Sequence, residues 1–230
     1  MPDATPLDDL QNHATLQAPS VADAGVAPGR KRPKPGERRV QILQALAGML
    51  ELPGGERITT AALAARLEVS EAALYRHFAS KAQMFEGLIE FIEQTVFSLI
   101  NQIVEREELA NDGATDVGAR QAAKLMAMLM QFAEKNPGMA RVMVGDALVF
   151  ENERLQVRMN QFFDKVEATL KQCFRVEVSV SGQDLSTLEP GVRASVLVAF
   201  AAGRLQRFVR SGFKRLPSER LEPSLRLLLG

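Results

Sequence analysis

The chain has 230 residues, 46% hydrophobic and 24% charged, which is enough for one or two globular units with a real core. No apolar run approaches the roughly 20 residues that a membrane span requires, and the first residues lack the basic start and apolar stretch of a secretory signal. The single cysteine, Cys173, cannot close an internal disulfide; this fits a reducing cytoplasm, and the residue reads as a small packed side chain rather than a nucleophile.

The formal net charge of zero conceals a segregation. Residues 1–29 carry four Asp and no Lys or Arg, whereas residues 30–81 carry ten Lys or Arg against five Glu. A local positive surface is what counterion release from DNA requires. Residues 1–35 are expected to form a disordered N-terminal extension. Residues 1–29 are rich in Ala, Pro, Asp and Gln with few large apolar residues. Arg30-Lys31-Arg32-Pro33-Lys34-Pro35 follows as an extended basic arm, which reads equally as a groove or phosphate contact and as a solvated linker.

From Glu37 to Glu51, Val40, Leu43, Leu46, Ala47 and Leu50 recur at three and four, a first helix ended by Pro53-Gly54-Gly55. Ile58 to Phe78 then reads as two short helices joined by a tight turn. Leu63, Ala64 and Leu67 stripe the first, Val69 lies in the turn, and Leu74 and Phe78 stripe the second. Ala64 is small where the helices cross, and Ser70 suits an N-cap that leaves the opposite face of the second helix free to enter a major groove. An antiparallel helical hairpin of an ordinary all-α protein is the plainer reading of the same spacing. Ser80-Lys81-Ala82-Gln83 is a capping box that opens a fourth helix, unbroken to about Glu108 and roughly 40 Å long. On it Phe85, Leu88, Ile89, Ile92, Val96, Leu99 and Ile103 share one stripe, and Phe91 falls about 120° away from its centre.

Further helical blocks are predicted at Asp116 to Lys135, Pro137 to about Phe150, Asn152 to Phe174 and Val192 to Phe213, with a short Leu-rich helix at Leu221 to Leu229. Val176 to Pro190 reads as irregular. Ala199, Ala201, Ala202 and Gly203 would let a partner helix approach closely, with Phe200 and Phe208 supplying buried area; a core helix is the plainer reading. No convincing strand or repeat appears, so the expected fold is all-α: a three-helix DNA-binding unit over 36–96 and a helical dimerisation and partner-binding domain over 97–230. Catalysis has little support. Only two His occur, one of them in the N-terminal extension, and there is no glycine-rich phosphate loop, metal-ligand cluster or nucleophile elbow. No catalytic or metal-binding residue, and no cofactor, is assigned.

Thr59-Thr60-Ala61 and Leu74-Tyr75-Arg76-His77-Phe78-Ala79-Ser80-Lys81 resemble the TetR family of bacterial DNA-binding proteins, whose most specific signature is Leu-Tyr-x-His-Phe-x-x-Lys. Arg57-Ile58-Thr59-Thr60-Ala61, Leu88-Ile89-Glu90-Phe91-Ile92-Glu93, Glu134-Lys135-Asn136-Pro137-Gly138 and Ala147-Leu148-Val149-Phe150-Glu151 are similar to the nucleoid occlusion branch of that family. This closer likeness runs from about Glu37 to Lys214. It implies a TetR-like fold and a cytoplasmic, nucleoid-associated homodimer that binds palindromic duplex sites and, when on DNA, antagonises polymerisation of the tubulin-like division protein FtsZ. The alternative is the usual TetR role, a ligand-responsive transcriptional repressor. Where many family members carry Gly in the turn before Val69, this chain has Glu68; a left-handed residue there would cost about 1 to 2 kcal/mol.

Side-chain chemistry then suggests roles. Ser70, Ala72, Ala73 and Arg76 suit base edges, because an Ala methyl fits a thymine methyl and Arg binds guanine in bidentate fashion. Thr59, Thr60, Tyr75, His77 and Lys81 suit phosphate, which sets register without reading sequence. The structural alternatives are Ala73 as core, Thr59 as an N-cap alone and Tyr75 as partly packed. By resemblance, the groove between the fourth and fifth helices would receive the FtsZ C-terminal tail at Phe91, Met128, Lys135, Asn136 and Pro137. An apolar anchor beside a cation suits a short tail of mixed apolar and acidic character.

Overall fold

The computed structural model describes residues 36–110, 116–181 and 189–230; the N-terminal extension and its basic arm lie outside the described residues. Every regular element among the described residues is helical: α1 (Glu37–Leu50), α2 (Thr60–Arg66), α3 (Glu71–Tyr75), α4 (Lys81–Leu109), α5 (Val117–Lys135), α6 (Pro137–Met143), α7 (Glu153–Ser181), α8 (Pro190–Arg210) and α9 (Leu221–Leu229). Short 3-10 turns lie at Gly55–Arg57 and Asp146–Leu148. None of these helices is long and apolar enough to cross a membrane.

The expected helices form, with corrections that have local causes. In α1 the inward face is Ile42, Leu43, Leu46, Ala47 and Leu50; Val40, expected in that stripe, is 47% exposed. With Ile42 added, the buried set centres about 90° around the helix from Val40, which leaves Val40 at the edge of the face in the first turn. The helix expected to run from Pro137 to Phe150 stops at Met143 because Gly145 takes φ +79, a left-handed geometry that ends an α-helix. Val176 to Ser181, read as irregular, continues α7; residues 182–188 of that stretch lie outside the described residues. Val192 to Phe213 becomes Pro190–Arg210, closed by Gly212 and Phe213, both at positive φ.

α4, at 29 residues and about 44 Å, passes from the helix-turn-helix into the C-terminal body. A domain boundary at 96 therefore falls inside one continuous helix. All seven residues of its expected stripe are buried, and one apolar core runs from Ile42 to Leu225. Glu107, near the far end of α4, is buried yet charged because α5 supplies two cations, Lys124 and Arg120, the latter with Nε at 3.4 Å. Burial works to raise its carboxyl, but hydrogen bonds from Lys124 and then Arg120 outweigh it and hold it below the usual range.

The two halves meet where α6 lies across α1. A Cβ on Gly138 would stand 2.0 Å from the Ala47 carbonyl oxygen, so only glycine permits the approach. Arg141, one turn on, donates to the Leu52 carbonyl at 3.1 Å, pairs with Asp146 at 3.4 Å and lies over the Phe213 ring at 5.1 Å. Gly138→Ala must push α6 off α1. It is expected to cost about 2 kcal/mol or more, and the check is a melting temperature at least about 5 °C lower by circular dichroism. A change under about 1 °C would show that the seam yields freely.

Candidate DNA interface and partner surface

Leu63 and Ala64 of α2 bury against Leu74 of α3 and Phe78 just beyond it, so the outer faces of the two helices are left to solvent. Thr59 is exposed and caps α2, its Oγ accepting from the Ala62 N–H at 3.1 Å. Its hydroxyl hydrogen stays available to a phosphate oxygen. The Thr60 hydroxyl donates to Glu71 Oε2 at 2.6 Å, and Tyr75, 45% exposed, brings its hydroxyl to 3.5 Å from Thr60 Oγ1. Thr59, Thr60 and Tyr75 thus share one edge. Ser70, Glu71, Ala72, Arg76 and His77 are exposed and Ala73 is half-buried, so of the four residues expected at base edges Ser70, Ala72 and Arg76 are open to solvent.

Two sequence expectations change here. Ser70 precedes α3 in extended geometry but makes no side-chain cap, and α3 itself spans only Glu71–Tyr75. Glu71 was missed: an acidic residue in a first turn reads as an ordinary partner of the helix dipole, and nothing local shows that it takes the Thr60 hydroxyl.

Behind α3, Arg39 of α1 donates to the His77 carbonyl at 3.0 Å and lies 4.2 Å from the centre of the buried Phe78 ring, fixing the exit from the reading helix. The capping box forms with a shift. The Ser80 oxygen accepts from the Gln83 N–H at 3.2 Å, while the Gln83 side chain takes the N–H of Ala79 at 2.8 Å. Lys81, the first residue of α4, is half-buried and paired with Glu151 from the turn before α7. Arg154 on Glu86 at 2.7 Å, and Arg158 and Lys165 on Glu93 at 3.1 and 2.9 Å, extend that contact along α4. Burial would raise the Glu93 carboxyl; hydrogen bonds from Lys165 and Arg158 prevail and hold it below its ordinary range.

The residues expected at the partner groove divide by burial. Phe91 is half-buried, Lys135 exposed and Pro137 half-buried at the start of α6. Met128 is 1% exposed and Asn136 5%, so they shape the interior and do not present a surface. Met128 falls on the inward face of α5 with Leu125, Leu129 and Phe132. The Asn136 amide is spent on the Phe132 carbonyl at 2.8 Å, closing the end of α5. Antiparallel register connects the others. The pairing of Glu107 with Arg120 fixes how α4 runs past α5, and fifteen residues along each helix from that pairing reach Ile92 and Lys135, so Phe91 lies near the level of the end of α5.

On α8, Val192 and Val196 are each 46% exposed and Ala199, Ala202 and Gly203 also face out, whereas Phe208 and Ala201 are core residues of this chain and Phe200 is half-buried. The close-approach stripe is therefore Val192, Val196, Ala199, Ala202 and Gly203. A cavity of about 450 Å³ opens between this stripe and Met159, Asn160 and Phe163 of α7. Burial pushes the Cys173 thiol up to about 11, so it is a packed side chain. Among the described residues no group of three or more His, Cys, Asp or Glu could hold a metal ion.

Residues 42–88 match the bacterial regulatory proteins of the tetR family, and residues 119–229 match the Tetracyclin repressor-like C-terminal domain of the SlmA-like type. The nucleoid occlusion factor SlmA of Idiomarina loihiensis is 49% identical over 79% of this chain and 88% of its own length. That of Alteromonas mediterranea is 50% identical over 79% and 89%. The chain belongs to the SlmA branch of the TetR family. Among solved structures, the fatty acid degradation regulator FadR from Bacillus halodurans superimposes with a TM-score of 0.67 at 18% identity, covering 87% of this chain and 97% of that one. The TetR family regulator PfmR from Thermus thermophilus gives 0.63 at 17%, covering 83% and 95%. At such identity these two establish the TetR architecture alone.

Of the three non-glycine residues at positive φ among the described residues, Glu68, Phe213 and Arg220, Glu68 is the one in the helix-turn-helix. It sits at φ +53, closing α2 with its own N–H on Ala65 O at 3.1 Å and that of Val69 on Ala64 O at 3.0 Å. That is the Schellman pattern, whose left-handed position favours Gly. Glu68→Gly should stabilise the fold by about 1 kcal/mol and raise the melting temperature by about 2 to 4 °C. A lower melting temperature would show that contacts of the Glu68 side chain outweigh its backbone strain.

Proposed function

We propose that this chain is a homodimeric, sequence-specific DNA-binding nucleoid occlusion factor that acts in the cytoplasm on the nucleoid. Bound to palindromic chromosomal sites, it antagonises polymerisation of FtsZ and blocks septum formation over the DNA. The observation that carries this reading is the reach of the likeness to SlmA: 49% to 50% identity extends over 182 residues, through the C-terminal body as well as the helix-turn-helix.

The geometry supports a role for each surface. Thr59, Thr60, Tyr75, His77 and Lys81 take phosphate, while Ser70, Ala72 and Arg76 meet base edges and half-buried Ala73 backs them. A second copy covers the α8 stripe and the cavity beside it, because exposed Val192 and Val196 followed by outward Ala199, Ala202 and Gly203 are the pattern of close helix packing. Dimerisation predicts, by light scattering at micromolar concentration, twice the 25.2 kDa chain mass. Ala202→Glu, which puts charge into the stripe, should shift the protein toward monomer; a monomeric parent would overturn the dimer and with it the palindromic site.

Phe91, Lys135 and Pro137 receive the FtsZ C-terminal tail, Phe91 as apolar anchor and Lys135 for acidic groups, with Met128 and Asn136 setting the shape beneath them. The deciding experiment is sedimentation of FtsZ with this protein, with and without a palindromic duplex that the protein itself selects from a random-sequence pool. Loss of polymer should be strongest with the duplex. Phe91→Ser should abolish that loss and leave duplex affinity within about twofold, because Phe91 lies almost three turns of α4 beyond Lys81. Duplex binding with no effect on polymer would favour a ligand-responsive repressor. A Phe91→Ser protein that no longer folds would place the side chain in the core.

A further inference from the structure

Lys81 is not free to meet DNA. Its ammonium group is already paired with Glu151, whose side chain is 8% exposed against 30% for Lys81. The carboxylate is delivered by a fixed turn. The Glu151 N–H is bonded to the Leu148 carbonyl at 3.1 Å, and Phe150 lies under the Arg57 guanidinium at 4.9 Å. Arg154, the cation nearest to Glu151 in sequence, is committed to Glu86 at 2.7 Å. Glu151 therefore holds the ammonium that a phosphate oxygen would take, since both anions are drawn by the same cation.

We propose that Glu151 is an internal competitor for Lys81, a carboxylate of the C-terminal body that holds this cation until a DNA phosphate displaces it. The inference rests on the DNA-binding reading above and adds a residue that acts through Lys81 without touching the duplex. Its consequence is that the C-terminal body sets part of the DNA affinity. A clamp that merely joined the two halves would leave the electrostatics of binding alone; a competitor changes them. Each phosphate neutralised by a protein cation releases about 0.9 of a counterion. If Glu151 loses Lys81 on binding, the freed carboxylate draws cations from solution only weakly, so part of that release is offset. With a neutral residue at 151 that offset disappears.

The test compares the full-length parent with Glu151→Gln, Lys81→Gln and the double variant. Fluorescence anisotropy on the selected palindromic duplex is read from 50 to 200 mM KCl, as an order-of-magnitude working range. Glu151→Gln should bind up to about fivefold tighter, the size of one partly screened ion pair. Its plot of log affinity against log salt should be steeper than the parent's by at most about 0.9. Lys81→Gln should weaken binding and make the slope shallower, by about 0.9 when Glu151 is already Gln and by less in the parent. Equal or weaker binding by Glu151→Gln, or an unchanged slope, overturns the proposal and makes Glu151 a clamp. Should Glu151→Gln melt below the assay temperature, Glu151→Asp, one methylene shorter in reach, is expected to move both readings in the same directions by less, and no movement overturns the proposal. A parent that selects no duplex overturns the DNA reading and this inference together.

Discussion

The approach of α6 to α1 at Gly138 is the contact on which the rest of the arrangement depends. With the Ala47 carbonyl filling the space a side chain would need, the DNA-binding unit is seated directly on the C-terminal body. Arg141 secures the same seam by reaching the Leu52 carbonyl, Asp146 and the Phe213 ring from a single buried position. A glycine seam resists separation because atoms already in contact have no slack to lose. Segments far apart in the chain therefore keep a fixed relation, and the turn at 146–151 is held against the start of α4.

That seating makes the Lys81–Glu151 pair possible and gives the carboxylates along α4 a common logic. Glu86, Glu93 and Glu107 each find cations on α5 or α7, and for Glu93 and Glu107 hydrogen bonds from those cations overcome the burial that would otherwise keep a proton on them. The helix carries its apolar stripe inward and its charges to its neighbours, so it transmits position stiffly. A displacement of its first residue has nowhere to dissipate before the body of the protein.

The reading face itself is unremarkable in charge and depends on placement. Arg76 and the Ala methyls are presented because Leu74 and Phe78 anchor the opposite side of the segment, and Arg39 ties its exit to α1. The Glu68 turn closes α2 ahead of α3. In helix-turn-helix units generally, phosphate contacts set register and a few base-facing positions discriminate sequence.

The sequence by itself determined the helical class, the helix-turn-helix and the buried stripe of α4, because apolar spacing of three and four and the caps at Thr59 and Ser80 are local signals that tertiary packing reinforces. Family membership was legible for the same reason, carried by a contiguous motif. Tertiary structure alone decided which side of a helix meets which neighbour. It put Met128 and Phe208 inside where spacing left both faces open, turned Val40 outward, ended α6 at Gly145 and spent the Asn136 amide on its own helix. It also brought Glu151 to Lys81 and Glu71 to Thr60. Pairs separated by many residues leave no periodic trace in a chain, since nothing in the local backbone of either partner records where the other comes to rest.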